Sequence, residues 1–130
     1  MDGNYGHSVW MVDAIWQLLP EYFVITDPDL QLNENLPNDF LENMHMLCDY
    51  YKVGKVGFAL DISDHDQFYQ DLYCYHDNIP YSIYDWESTF WLKLADPQVE
   101  PFVTYNAAID TTFFLGCKSR LFDYKDVHIY

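Results

Sequence analysis

The sequence predicts an α+β fold, with about three amphipathic helices packed on one mixed or antiparallel sheet. Apolar residues recur at helical spacing in three segments of the first 76 residues, whereas short β-favouring runs between Asp, Asn and Pro turns dominate the remainder. The 130 residues contain no repeat, low-complexity segment or linker-like stretch. A chain of this length is typical of one compact unit, so we expect a single globular domain covering residues 1-130.

The first predicted helix covers residues 9–19, with Ser8 as its N-cap and Pro20 at its end. On a helical wheel Trp10 falls on the polar half. The apolar half is formed by Val9, Met11, Val12, Ile15, Trp16, Leu18 and Leu19. The β-favouring run at 21–26 predicts the first strand, because β-branched and aromatic residues fit a pleated surface.

The second predicted helix covers residues 37–52 and has Pro37 in its first turn, where the missing N–H costs nothing. Its apolar face consists of Phe40, Leu41, Met44, Leu47, Cys48 and Tyr51. Its opposite face carries Asp39, Glu42, Met46, Asp49 and Tyr50. A strand is expected at 56–62.

The third predicted helix covers residues 64–76, with Ser63 or Asp64 as its cap. One half of its wheel carries Phe68, Tyr69, Leu72, Tyr73 and Tyr75, together with His65 and His76. The other half carries Asp64, Asp66, Gln67, Gln70, Asp71, Cys74 and Asp77. We expect the aromatic half to face the sheet and the acidic half to face solvent.

Beyond this helix the composition favours strands, which are expected at 81–84, 89–94, 102–105 and 111–117. Residues 85–94 could equally form a helix, because Asp85 is followed by Trp, Glu and Ser. Residues 127–130 are expected to form a final strand at the edge of the sheet.

The charge of the chain excludes several classes of protein. It holds 21 acidic residues against 6 Lys and Arg, a net charge of −15. A nucleic-acid binder needs a basic surface, and so does a protein that binds anionic lipid. Disorder is not expected, because 12 Tyr, 9 Phe and 4 Trp are far more aromatics than disordered acidic segments contain.

The termini and the cysteines favour a cytoplasmic protein. No secretory signal precedes the first predicted helix, and no apolar run approaches the ~20 residues that span a bilayer. Cys48, Cys74 and Cys117 are an odd number without CxxC spacing, which is typical of free thiols in a reducing compartment.

The acidic charge is concentrated in the first 92 residues. Residues 118–130, by contrast, hold two acids against Lys118, Arg120 and Lys125. A small domain stays soluble with a net charge of about 2–8 in magnitude, and a larger surplus destabilises the compact state. The surplus therefore favours complementarity to a basic partner, although an acidic solvated surface would also account for it.

No pattern in the chain defines a reaction. Asp61, Asp64, His65 and Asp66 could hold a hard or borderline cation, but the segment lacks the Gly and closing Glu of a calcium loop. A helix-capping turn is the favoured interpretation. Cys117 lies beside two cations, yet a strand cysteine is the simpler interpretation. We therefore expect no enzyme, no metal and no cofactor.

The charge and the aromatics together predict an acidic, cytosolic immunity-type inhibitor of a basic protein, most simply a toxin nuclease domain. One alternative is a phage nucleic-acid mimic that blocks restriction or CRISPR proteins. Another is a small metal-dependent enzyme that uses the Asp61–Asp66 cluster. The expected binding residues are Asp64, Asp66, Asp71, Asp77, Asp39, Glu42, Asp49, Tyr50, Tyr84, Trp86 and Trp10. Direct contact with nucleic acid or membrane is not expected.

Overall fold

A computed structural model describes residues 6–68, 72–109, 112–123 and 126–129. The fold combines α-helices and β-strands, in agreement with the predicted α+β class, but the strands form two sheets rather than one. The strands are β1 (Tyr22–Thr26), β2 (Lys55–Phe58), β3 (Tyr73–His76), β4 (Ile79–Ser82), β5 (Thr104–Asn106), β6 (Phe113–Cys117) and β7 (Asp126–Ile129). The α-helices are α1 (Asp13–Trp16), α2 (Phe40–Tyr51) and α3 (Ile83–Ser88), and the 3₁₀ helices are Gly6–Met11, His65–Gln67, Thr89–Trp91 and Lys118–Asp123.

Five strands form a mixed sheet in the order β1-β6-β2-β7-β5. Strand β6 runs antiparallel to both β1 and β2, β5 runs antiparallel to β7, and β2 and β7 are parallel. The predicted final strand therefore exists, but its expected position was wrong. It lies between β2 and β5 and pairs with both of them, so it is not an edge strand.

Strand β6 is buried along its whole length because apolar residues cover both of its faces. Phe113, Leu115 and Cys117 join one core cluster, whereas Phe114 joins another. Gly116 lies on the second side, where an added Cβ would come within 2.8 Å of Phe23 Cζ. The continuous apolar run of β6 thus reflects burial on two sides rather than one.

Helix α2 confirms the second predicted helix and supplies the first core cluster. Met44, Leu47 and Cys48 are fully buried and pack with Val56 and with the β6 side chains of that cluster. The helix ends where Lys52 takes a left-handed conformation (φ 55°), which closes the helix as its C-cap. The apolar spacing in the sequence therefore identified the buried residues of this helix, although Leu41, expected on the same face, is 41% exposed.

The first predicted helix, by contrast, is divided. The chain forms a 3₁₀ helix at Gly6–Met11, becomes extended at Val12, and then makes the single α-turn of α1. Trp10 and Trp16 both pack against the second core cluster, with Trp10 5.7 Å from Phe114 between ring centroids. The expected polar position of Trp10 was therefore wrong, because the break at Val12 turns its ring toward the core.

The third predicted helix was also wrong. Residues 65–67 form only a short 3₁₀ helix, and β3 and β4 form an antiparallel hairpin. Its two turn residues, Asp77 and Asn78, have positive φ angles of 50° and 65°. Two left-handed residues make the turn type that matches the twist of paired strands, and Asp and Asn tolerate this conformation better than most residues.

The segment that follows is helical, so the helical alternative at 85–94 was the better interpretation there. The Ser82 hydroxyl caps α3 by accepting a hydrogen bond from the Asp85 N–H at 3.1 Å. The helix continues into the 3₁₀ turn Thr89–Trp91, so the strand expected at 89–94 was wrong apart from one bridge between Leu94 and Tyr105. No helix in the described part of the chain is long and apolar enough to cross a membrane.

Candidate interaction surface

The β3–β4 hairpin is attached to the rest of the molecule through one of its two faces. Tyr81 of β4 packs edge-on against Trp86 at 5.5 Å between ring centroids. Trp86 makes the same kind of contact with the buried Phe90, also at 5.5 Å. Tyr81 is paired with Cys74, so Cys74 projects from the attached face as well.

The other face of the hairpin is exposed and aromatic. Tyr73 and Tyr75, which alternate with Cys74, are 57% and 73% exposed. Tyr84 of α3, the helix that follows β4, is exposed as well. We call Tyr73, Tyr75 and Tyr84 the hairpin patch.

Exposed acidic side chains lie on the hairpin turn, on α3 and in the turn that contacts Tyr84. Asp77 is at the hairpin turn and Asp85 is in the first turn of α3, and both are exposed. Asp64 and Asp66 are exposed at the 3₁₀ turn 65–67. This turn is adjacent to the hairpin patch because the His65 ring packs at a tilt against Tyr84, with 4.6 Å between the ring centroids. The sequence from 56 to 92 contains no Lys or Arg.

Three of the six cations are occupied in contacts within the fold. Lys55 donates to the Ile109 carbonyl at 3.2 Å and lies over the rings of Trp10 and Phe114. Lys118 donates to the Leu19 carbonyl at 3.2 Å. The third is Arg120, which is paired with a carboxylate of α2. These three positive charges are therefore held by groups of the fold itself.

The partner of Arg120 is Asp49, one of the expected binding residues. Asp49 Oδ1 accepts hydrogen bonds from Arg120 at 2.7 Å and from the Tyr22 hydroxyl at 2.5 Å, and its Oδ2 lies 3.4 Å from His45 Nε2. The Arg120 and Tyr22 hydrogen bonds hold the pKa of Asp49 below its usual range. The same carboxylate raises the pKa of Tyr22 to about 12. Asp49 is thus bound by three side chains of its own chain, and we call this group the Asp49 cluster.

The remaining expected residues occupy different surroundings. Trp10 and Trp86 are partly buried in ring contacts, so both act as packing residues rather than as exposed anchors. Tyr50 is 50% exposed on α2, where Asp39 and Glu42 are exposed as well. Tyr84, Asp64, Asp66 and Asp77 lie at or beside the hairpin patch. Asp71 lies outside the described residues.

The Asp61–Asp66 segment, which the sequence offered as a cation site, makes local hydrogen bonds and a ring contact. Asp61 Oδ1 accepts the Ser63 backbone N–H at 2.8 Å, hydrogen bonds from the Ser63 side chain and backbone lower the pKa of Asp61, and the His65 ring packs at a tilt against Tyr84. Within residues 6–68, 72–109, 112–123 and 126–129, no three His, Cys, Asp or Glu side chains are grouped to hold a metal ion. The structure therefore adds no support to a metal-dependent reaction at Asp61–Asp66.

The helix predicted at 64–76 places Tyr73 and Tyr75 on the half that faces the sheet, whereas the structure exposes both. A signal for the hairpin was present in Asp77-Asn78, which follows an alternating Tyr-Cys-Tyr-His run. The pairing of Asp49 with Arg120 had no such signal, because 71 residues separate the two in sequence.

No protein-family model, no curated protein and no solved structure matches this chain. The features available for assigning a function are therefore the exposed aromatics of the hairpin patch and the acids around them.

Proposed function

We propose that this chain is an acidic inhibitor of the immunity type, which binds a basic protein in the cytoplasm through the hairpin patch. The partner that fits this chemistry best is a toxin nuclease domain, because a nuclease cleft is built from cations that bind phosphates. The observation that supports the proposal is the exposure of Tyr73 and Tyr75 on a hairpin whose turn carries the exposed Asp77, in a chain with a net charge of −15.

The two kinds of residue have different roles in the proposal. Exposed tyrosines supply large contact area with few rotatable bonds, and such residues dominate the affinity of protein interfaces. The surrounding carboxylates increase the rate of encounter with a basic cleft and disfavour acidic partners. The hairpin projects Tyr75 close to the turn at Asp77, so an aromatic anchor and an acid would enter a concave cleft together.

The test uses a panel of purified basic nuclease domains, including any encoded next to this chain. We expect the wild-type protein to inhibit one member at a ratio of one to one. Replacing Tyr73 and Tyr75 with Ala removes the proposed anchors, and truncation of one such anchor typically costs at least ~2 kcal/mol, or about 30-fold in Kd. Tyr50→Ala is the matched control, because Tyr50 is also an exposed tyrosine, at 50%, but lies on α2. Circular dichroism checks that each variant is folded.

The charges are tested through the association rate. With Asp64, Asp66 and Asp77 replaced by Asn, association should be slower and depend less on salt. For the wild type the rate should fall steeply as salt rises from about 0.01 M to about 1 M, because the Debye length shrinks from about 30 Å to about 3 Å. A rate that is independent of salt, or equal losses for the Tyr50 and Tyr75 variants, would contradict the proposal. Binding to many unrelated DNA-binding proteins, with displacement by duplex DNA, would replace it with nucleic-acid mimicry.

A further inference from the structure

A cavity of about 480 Å³ lies between the loop that precedes α2 and the end of β2, and its lining does not include the residues of the hairpin patch. Leu30, Leu36 and Pro37 line it from the loop, and Phe58 and Leu60 line it from β2 and the residues after it. Its size is within the range of pockets that bind small molecules, which are mostly apolar with a few polar groups. This cavity has no role in the proposed inhibition.

The loop that forms one wall is held in place by its own hydrogen bonds. Asp27 donates its backbone N–H to the Thr112 carbonyl at 2.9 Å, which joins the start of the loop to the chain just before β6. Asn33 Oδ1 accepts the Asn35 backbone N–H at 2.9 Å, and the Asn33 carbonyl accepts from Leu36. Leu30 packs against the first core cluster. The cavity is therefore formed by an ordered loop before any ligand arrives.

The lining of the cavity has a distinct chemical character. Two aromatic rings, Phe58 and Trp91, contribute to the wall, and among the described residues that line it Asp61 is the one with a formal charge. Aromatic rings and a carboxylate both attract a cation, the rings through their negative faces and the carboxylate directly. The net charge of −15 adds to this preference and disfavours anions.

We infer that this cavity is a binding site for a small organic cation, in which an aromatic or aliphatic body fills the apolar part and a protonated amine faces Asp61. The neighbouring ring of Trp91 supports the body of the ligand. The inference depends on the cavity alone, so it stands or fails independently of the proposed inhibitor function.

The test compares three probes that share an indole ring and differ in charge: tryptamine, tryptophol and indole-3-propionate. Binding is followed by NMR through the indole N–H resonance of Trp91, which is assigned with a Trp91→Phe variant. We expect tryptamine to shift this resonance saturably, tryptophol to bind more weakly, and indole-3-propionate to bind weakest. Asp61→Asn should weaken the binding of tryptamine by about two- to fivefold, which corresponds to the contribution of an exposed ion pair. It should leave the affinity for tryptophol unchanged.

Asp96→Asn is the matched control, since it removes one exposed acid that does not line the cavity. It should leave all three affinities unchanged, which separates a local contact from attraction by the net charge. Ala59→Trp places a large ring in the cavity wall and should abolish binding of tryptamine and tryptophol. The inference is overturned if indole-3-propionate binds as well as tryptamine, if no probe shifts the Trp91 resonance, or if the Asp61 and Asp96 variants behave alike. Because Asp61→Asn changes a surface residue, this arm remains decisive even if Ala59→Trp does not fold.

Discussion

Replacement of Asp49 with Ala should destabilise the protein, although Asp49 was expected at a binding surface. The substitution removes the carboxylate that accepts hydrogen bonds from Arg120 and Tyr22. The side chain of Arg120 is only 19% exposed, so its guanidinium would lose its charged partner while remaining largely shielded from water. An ordinary exposed acid has no comparable role.

The expected cost follows from the contacts of the Asp49 cluster. Hydrogen bonds that involve a charged group contribute about 1.5–3 kcal/mol. The Asp49 side chain is 45% exposed, so water screens part of this energy and can replace some of the lost contacts. We expect a loss of about 1–2 kcal/mol in the free energy of unfolding. For a chain of this length that is a fall in Tm of about 4 °C for each kcal/mol.

The loss should also depend on pH in a defined direction. The pKa of folded Asp49 lies below the usual carboxyl value, because its hydrogen bonds to Arg120 and Tyr22 favour the charged form. A lowered pKa adds stability above the unfolded pKa of about 3.9, and this stability is lost as the pH falls through the folded value. The difference in the free energy of unfolding between the wild type and Asp49→Ala should therefore be constant from about pH 5 to about pH 7 and shrink below about pH 3.9.

The assay is urea denaturation followed by tryptophan fluorescence, at neutral pH and at acidic pH. Glu34→Ala is the control, because Glu34 is an exposed loop acid. Its effect should stay within about 0.5 kcal/mol, as for most surface substitutions. The assigned role of the Asp49 cluster is refuted if Asp49→Ala and Glu34→Ala unfold at the same urea concentration. It is refuted as well if the loss is equally large under acidic conditions.

Three further predictions concern the core, the hairpin and the thiols. Met44→Ala should cost about 2–5 kcal/mol in urea denaturation, because Met44 is completely buried; a loss below 1 kcal/mol in round terms would contradict its place in the core. Asn78→Val should destabilise the hairpin by about 1–3 kcal/mol, measured by proteolysis at the turn, whereas Asn78→Gly should be tolerated because glycine adopts positive φ freely. Cys74 is exposed, so Ellman's reagent should modify it rapidly in the folded protein, while Cys48 and Cys117 should react only after unfolding; burial also raises the pKa of Cys48 to about 11. Rapid modification of more than one thiol in the folded protein would be inconsistent with this arrangement.

The sequence was a good guide wherever a local pattern and the tertiary fold agree. In α2 the spacing of Met44, Leu47 and Cys48 identified the buried face, because a helix of three turns puts these positions on one side whatever it packs against. Strands β1 and β6 were recognised for a similar reason, since their apolar and β-branched residues suit a buried pleated surface.

The sequence was a poor guide at residues 64–76, where two periodicities compete. The aromatics there are dense enough to fill one half of a helical wheel, yet Tyr73 and Tyr75 also alternate as in a strand. The turn at Asp77 and Asn78 decides the outcome, because it brings β4 alongside β3 and their backbones pair. The candidate surface changed accordingly, from the acidic face of a helix to the exposed face of a hairpin.

What the sequence determined by itself was the charge of the molecule and the presence of both helices and strands, because both depend on composition and on local spacing. Only the tertiary structure decided which contacts the charged side chains make. It paired Asp49 with Arg120 across 71 residues, placed Lys55 over the rings of Trp10 and Phe114, and left Tyr75 exposed beside the acids of the hairpin. These contacts join residues far apart in the chain, and pairing over such distances is set by how the sheet and its helices pack rather than by neighbours in sequence.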